Sequence, residues 1–441
     1  MNYKMPVPRA FPSLRPAAAA AGLFLLAAFA AAQTADKATT DFSQVKSDVL
    51  TSVTKIISTA AFVPGIDFDK LPQFLTQEKA KIDAAQNPDD FARAVNEALE
   101  KFGASHVVLL TPETSEIRNT GSTVGIGITS QVNADGSVVV IRTIPDTPAA
   151  DADLVPGDVI TMVDDKKADG IKGIRGPEGS KVKIQVKKQD GQVVDLTLTR
   201  RKFSTARPEE LTWLERDTVK LSVFTFDYAY NGDRVSQLVS DAMEKHAKNI
   251  VIDLRDNGGG AVVNLEQFLS LFIPDEKPIG TMISKVTLDR YVQETGGNPT
   301  DLQAIANWSK LKLTPRSPQQ PVFKGKIVVL INQFSGSAAE MAAAALRDTV
   351  GAEVIGTKSA GAVLVSIIRA AADDYMLQYP LCDYITIKGQ RLEGTGVTPD
   401  VVAKDPRPRL PDSPDAPVEK ALAYLEDPAK FGVASAPSTK G

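Results

Sequence analysis

From Phe42 onward, Val45, Val49, Val53 and Ile56 recur at helical spacing, which predicts an amphipathic helix. A second stripe, Phe91, Val95, Leu99 and Phe102, begins after Asn87-Pro88 and stops at Gly103, a start and a stop signal for another helix. Between residues 120 and 201 the period changes. Short runs alternate faces there, residues 181–186 most clearly, and Asp135-Gly136 and Asp190-Gly191 supply hairpin turns, so a compact β-rich module is expected. After Thr218 strand and helix patterns alternate. Residues 219–226, 250–254 and 327–331 read as strands, with helices carrying Val235, Leu238, Val239 and Met243, then Leu265, Phe268, Leu269 and Phe272. That order predicts an α/β layered sheet. Residues 406–441 are rich in Pro and Ala and offer one short helical stretch, at 418–425.

The expected fold is therefore an α/β domain with a β-rich module and a helical N-terminal region. The 441 residues suit about three folding units. The boundaries drawn are a leader over 1–32, a helical region over 38–118, the β-rich module over 119–203, the α/β domain over 204–410 and a loose C-terminal tail over 411–441. The leader follows from Lys4, Arg9 and Arg15 ahead of an apolar run over 17–32 that ends in small residues, a signal-peptide pattern. At about 16 residues the run is short for a membrane span. The reading is an exported protein, in the periplasm, cell envelope or medium; an uncleaved leader would tie it to a membrane. Charge narrows the partners. With 50 Lys+Arg against 54 Asp+Glu and no basic cluster, nucleic acid is not an expected ligand. Cys382 is the single cysteine and His106 and His246 the two histidines, so neither a disulfide within the chain nor a Cys- or His-rich metal site can form.

Candidate chemistry collects at two strand-to-helix junctions, where helix N-termini offer free N–H groups. The first is Asp253-Leu254-Arg255-Asp256-Asn257-Gly258-Gly259-Gly260. Its three glycines let the backbone turn sharply and approach a ligand oxygen, as an oxyanion hole requires, or simply make a tight loop. The second, Asn332-Gln333-Phe334-Ser335-Gly336-Ser337-Ala338-Ala339-Glu340, opens an Ala-rich helix. A serine there is most often an N-cap; facing a glycine loop, Ser337 is also a candidate nucleophile. Asp253, Arg255 and Asp348 read as structural ion pairs, and His246 as a solvated helix-end residue.

The two junctions, together with the Gly394-Thr395-Gly396-Val397-Thr398-Pro399-Asp400 turn and Asp348 eleven residues beyond Ser337, resemble the C-terminal processing (tail-specific) protease superfamily. The resemblance implies a serine peptidase acting on polypeptides, without cofactor or metal, with Ser337 as nucleophile and the N–H groups of Gly259 and Ala338 as oxyanion hole. It also implies that the β-rich module is PDZ-like. Gly125, Ile126, Gly127 and Ile128 would be its peptide-binding loop, and the short stretch between residues 163 and 176 would leave it a shallow groove. One departure matters. The family's Ser–Lys dyad wants lysine where this chain has Ala362. The branch similar to the tricorn protease core uses histidine instead, which matches His106 as base, preceded by Ser105, with Glu393 as the orienting carboxylate. Imidazole titrates near neutral pH and suits that task. Lys358 is the alternative base. An inactive, peptide-binding pseudoprotease and a PDZ-like scaffold stay open as alternatives, as does homo-oligomerisation.

Overall fold

In the computed structural model, which describes residues 41–215, 217–405, 409 and 413–431, the alternation after Thr218 resolves into a six-stranded sheet. Its order is Glu210–Trp213, Thr218–Ser222, Asn249–Asp253, Lys326–Ile331, Glu353–Gly356 and Val401–Val402. The first pair is antiparallel and the others are parallel. Successive side chains leave opposite faces of a strand, so Ile250 and Ile252 enter one core and Val251 the other. Helices Gly232–Glu244, Val262–Leu269 and Ala338–Val350 cover the first face, and helix Ala416–Glu426 covers the second. With both faces buried, the strands read as unbroken apolar runs, which is why 250–254 and 327–331 were legible. The larger core closes on an aromatic chain in which Phe268 meets Phe226 at 5.3 Å and Phe272 at 5.2 Å between ring centroids.

The loose tail expected over 411–441 is corrected for its described part. Residues Pro417, Val418, Ala421 and Leu425 of helix Ala416–Glu426 are buried against the sheet. The Arg255 guanidinium, 1% exposed, binds Asp415 just before that helix at 2.7 Å, along with Asp253 at 2.7 Å and Asp405 at 3.2 Å. Burial alone would lower the Arg255 pKa, but its bonds to the aspartates hold it above the ordinary value. Prolines and alanines thus pack here because charge anchors the segment. Asp348 pairs with Lys388 at 3.4 Å and Arg347 at 3.7 Å.

A second sheet stands beside the first. Its long strand Met376–Thr386 pairs antiparallel with Val108–Leu110, Gly280–Ser284 and Val365–Ala370. Residues 48–441 form one compact unit. Helix Pro88–Glu100 docks on the second sheet through Phe91, whose ring meets Tyr375 edge-on at 5.7 Å. Its Asn96 amide accepts from the Leu109 N–H at 2.7 Å and donates to the Leu109 carbonyl at 3.1 Å, doing for the free edge of strand Val108–Leu110 what a neighbouring strand would do.

The β-rich module is a sheet of antiparallel neighbours in the order Ile128–Val132, Val138–Thr143, Val159–Val163, Lys181–Lys187 and Val193–Thr199. Ile126, Val138, Ile160, Ile184 and Val186 fill its core. The entering strand Ser122–Gly125 and the leaving strand Arg201–Ser204 pair with each other as a two-stranded ribbon. At its base, Thr205 N–H donates to the Gly121 carbonyl at 2.7 Å. No helix among the described residues is long and apolar enough to cross a membrane; the predicted leader over 1–32 lies outside the described residues.

Because Phe268 joins two aromatic contacts at the centre of the larger core, Phe268→Ala is expected to cost about 3–5 kcal/mol of unfolding free energy. Chemical denaturation followed by tryptophan fluorescence measures this, and a loss below about 1 kcal/mol would show a core that collapses around the gap.

Candidate active site

Parallel pairing sets Asp253 of one strand opposite Leu330 of the next, so the loops that follow them leave the same sheet end side by side. A Cβ added to Gly259 would lie 2.6 Å from Ser337 Cβ and 2.7 Å from Ala338 N, closer than any side chain tolerates. Only glycine permits that approach. Asn257, fully buried, ties the loops together: its carbonyl accepts from Gly336 N–H at 2.9 Å and its side chain donates to the Val223 carbonyl at 2.9 Å.

Ser337 occupies the N-cap position of helix Ala338–Val350 with φ 53° and ψ −120°, a backbone conformation that a residue with a side chain holds only when its surroundings fix it. The surroundings here are two acceptors for its N–H, the Ala362 carbonyl at 2.8 Å and Glu340 Oε2 at 3.0 Å. Ser337 and Glu340 have capping-box spacing, but the Ser337 hydroxyl makes no capping bond. It faces His106 instead, with Ser337 Oγ 3.2 Å from His106 Nε2.

His106 arrives from the N-terminal region, 231 positions away, in a left-handed conformation with φ 60° just ahead of strand Val108–Leu110. Its Nδ1 is 2.7 Å from Ser105 Oγ, and Ser105 Oγ donates to Glu393 Oε2 at 2.8 Å. The hydroxyl has one proton, and the carboxylate takes it. Ser105 Oγ must then accept from His106 Nδ1–H, which leaves a lone pair on Nε2 toward Ser337. Glu393 also receives the N–H groups of Ser105 and Val363, both at 2.8 Å. Burial lowers the His106 pKa below its ordinary value near 6.5; the Glu393 charge opposes the shift and Arg118 adds to it. Four sequence-predicted residues, Ser337, His106, Ser105 and Glu393, are therefore brought into one hydrogen-bonded line.

One predicted residue stands elsewhere: Lys358 is exposed and does not line the cleft around Ser337, and His106 takes the hydrogen-bonding position beside the hydroxyl. Gly259, expected in the oxyanion hole, lines the cleft, and in this conformation its N–H donates to Asn257 Oδ1 at 2.9 Å. The Ala338 and Gly260 N–H groups carry no hydrogen bond among the described residues, and both residues line the cleft. Since the Gly259 carbonyl accepts from Phe226 N–H at 2.7 Å, the trans peptide directs the Gly260 N–H the opposite way. Gly125, Ile126, Gly127 and Ile128 line a separate groove, within the β-rich module.

Glu340 was not foreseen as a site residue. Fully buried, it accepts from Ser359 Oγ at 2.5 Å, Gly361 N–H at 2.8 Å, and the N–H groups of Ala362 and Ser337 at 3.0 Å each. Burial raises its pKa, outweighing those four donors, which favour the carboxylate. Its Ser-x-x-Glu spacing was the available signal. Arg118 and Asp227 were missed as well; they pair at 2.7 Å on the rim of a cleft of about 810 Å³ whose other lining residues, His106 aside, are uncharged.

Comparison with known proteins places this architecture. Residues 218–403 match the model of peptidase family S41 and residues 114–197 match the PDZ domain. The chain thus carries a PDZ domain followed by a peptidase S41 domain, and the curated relatives it resembles are CtpA-like serine proteases. It is 27% identical over 296 residues to the "Probable CtpA-like serine protease" of Staphylococcus haemolyticus, covering 65% of this chain and 54% of that one. Its counterpart in Staphylococcus aureus strain MRSA252 is 26% identical over 335 residues, 73% of this chain and 62% of that one. This chain thus spans less than two thirds of the length of these relatives. The structure of mature CPAF complexed with lactacystin superimposes with a TM-score of 0.51 at 14% identity, over 88% of this chain and 98% of that one, a likeness of fold.

Glu340→Gln would set an amide NH2 against donors that now meet oxygen. The variant is expected to lose about 1–3 kcal/mol of stability through unsatisfied buried groups. Calorimetry on the full chain tests it, and an unchanged melting temperature would show that the four bonds do not hold the loop.

Proposed function

We propose that this chain is an exported endopeptidase that hydrolyses polypeptides, with Ser337 as nucleophile and His106 as general base. The observation that carries the reading is the line Ser337–His106–Ser105–Glu393, whose hydrogen-bond directions leave Nε2 as the acceptor facing the hydroxyl. Ser337 Oγ attacks the scissile carbonyl while its proton moves to His106 Nε2. The imidazolium so formed is stabilised through Ser105 by the Glu393 charge. The carbonyl oxygen gains negative charge and turns toward the N–H groups of Ala338 and Gly260 at the positive end of the nucleophile helix. His106 then returns the proton to the departing amine. Water repeats the sequence on the acyl-enzyme, with His106 again as base.

Several features support this over an inactive relative. The missing family lysine is Ala362, whose carbonyl accepts from Ser337 N–H while its N–H is held by Glu340, so that place in the fold serves as framework rather than as base. The histidine branch of the superfamily fits such an arrangement. Within the reading, the PDZ module over 119–203 presents polypeptide to the α/β domain over 204–410, the region over 38–118 delivers the base, and the leader over 1–32 accounts for export.

Ser337→Ala and His106→Ala are each expected to remove nearly all peptidase turnover with the melting temperature preserved, and Lys358→Ala to change little. Hydrolysis of unfolded casein reads all three; abolition by Lys358→Ala alone would reassign the base. The pH dependence carries a sign. Only neutral His106 accepts the proton, and its pKa lies below 6.5, so kcat/KM is expected to stay level from neutral pH downward past 6.5 and to fall only at lower pH. A profile that rises only on the alkaline side contradicts the histidine assignment.

A further inference from the structure

The groove of the PDZ module carries a chemical bias that its fold does not require. It has a volume of about 490 Å³, and its wall over 170–175 is a series of turns. Ile126, Ile144, Ile171 and Ile174 make it apolar. Its charged lining residues are Arg142 and Arg175, with no carboxylate.

Arg142 is the more telling of the two. It is half-buried and makes no hydrogen bond or ion pair among the described residues. Burial depresses its pKa and so does the nearby Arg207, while the charge of Glu210, which pairs with Arg207 at 3.6 Å, opposes the shift without bonding Arg142. A guanidinium left in that state costs free energy that an incoming carboxylate would recover. Arg175 stands by the loop, with Cγ 4.0 Å from where a Gly125 Cβ would be, and reaches only Glu113, at 3.7 Å.

Register fixes where the acid should lie. Strand Ile128–Val132 is the outer strand of its sheet, so one edge is open to an added strand. The N–H groups of Ile126 and Gly127 make no hydrogen bond among the described residues and can receive a terminal carboxylate. A peptide anchored there sets its last residue opposite Ile128 and its penultimate residue opposite Thr129. Thr129 pairs in turn with Arg142, and residues directly opposite in antiparallel strands share a face. Arg142 lies two strand spacings, about 10 Å, from that peptide position, within the combined reach of Arg and Glu side chains.

We infer that the PDZ groove selects chain ends with an acidic penultimate residue, read by Arg142, followed by an apolar last residue. The test uses the full chain carrying Ser337→Ala, so binding is read without cleavage and does not depend on the proposed hydrolysis. Short fluorescent peptides ending in Glu-Val, Gln-Val or Lys-Val, and Glu-Val as its amide, are titrated by anisotropy. Glu-Val is expected to bind about tenfold more tightly than Lys-Val, with Gln-Val between. Arg142→Gln should abolish that ranking while keeping the preference for free carboxylate over amide, and Arg142→Glu should reverse the ranking. Arg118→Gln, in the other cleft, should leave it intact. The inference is overturned if the peptides bind without ranking, if none binds, if the ranking survives Arg142→Gln, or if it disappears in Arg118→Gln.

Discussion

Three successive backbone N–H groups govern the geometry of this site. Those of Gly361 and Ala362 end on Glu340, and that of Val363 ends on Glu393. Glu340 also fixes the Ser337 backbone, and Glu393 fixes Ser105 and through it the imidazole. One short loop is therefore strung between two carboxylates, one holding the Ser337 backbone and the other holding Ser105 beside His106. The separation of the two groups is therefore tied to the conformation of that loop.

The surrounding fold exists to hold that loop at the correct height. The parallel strands bring the glycine and serine loops to one sheet end, and Asn257 fastens one to the other. Behind them, Arg255 couples the glycine loop to Asp405 and Asp415, so a distant part of the chain braces the region beside Ser337. The base comes from a different part of the chain. Strand Val108–Leu110 positions His106, held on one edge by Met376–Thr386 and on the other by the Asn96 amide. His106 and Ser337, carried by different elements, face each other at 3.2 Å.

Much of this was legible in the sequence for a physical reason. Doubly covered strands are apolar throughout and the tightest backbone approach falls on glycine, so those elements announce themselves by composition, whereas the grouping of His106, Ser105 and Glu393 was indicated only by the family resemblance. What was not legible depends on distant partners. Nothing local tells that Glu340 gathers donors from residues 359–362, or that Asn257 claims the Gly259 N–H. Helix Ala416–Glu426 looked like the edge of a loose tail because its anchor, Arg255, lies 160 positions earlier.

The two-stranded ribbon that carries the PDZ module also bears on its ancestry. Entry and exit run together, and Gly121 and Thr205 touch through a backbone hydrogen bond, so the whole intervening cassette hangs from one point of the chain. A recombination event joining those two positions would delete it without pulling apart any strand of the six-stranded sheet. The same joint would admit a different cassette. Lineages can therefore exchange the PDZ module while inheriting the α/β domain unchanged, and the two need not share a history.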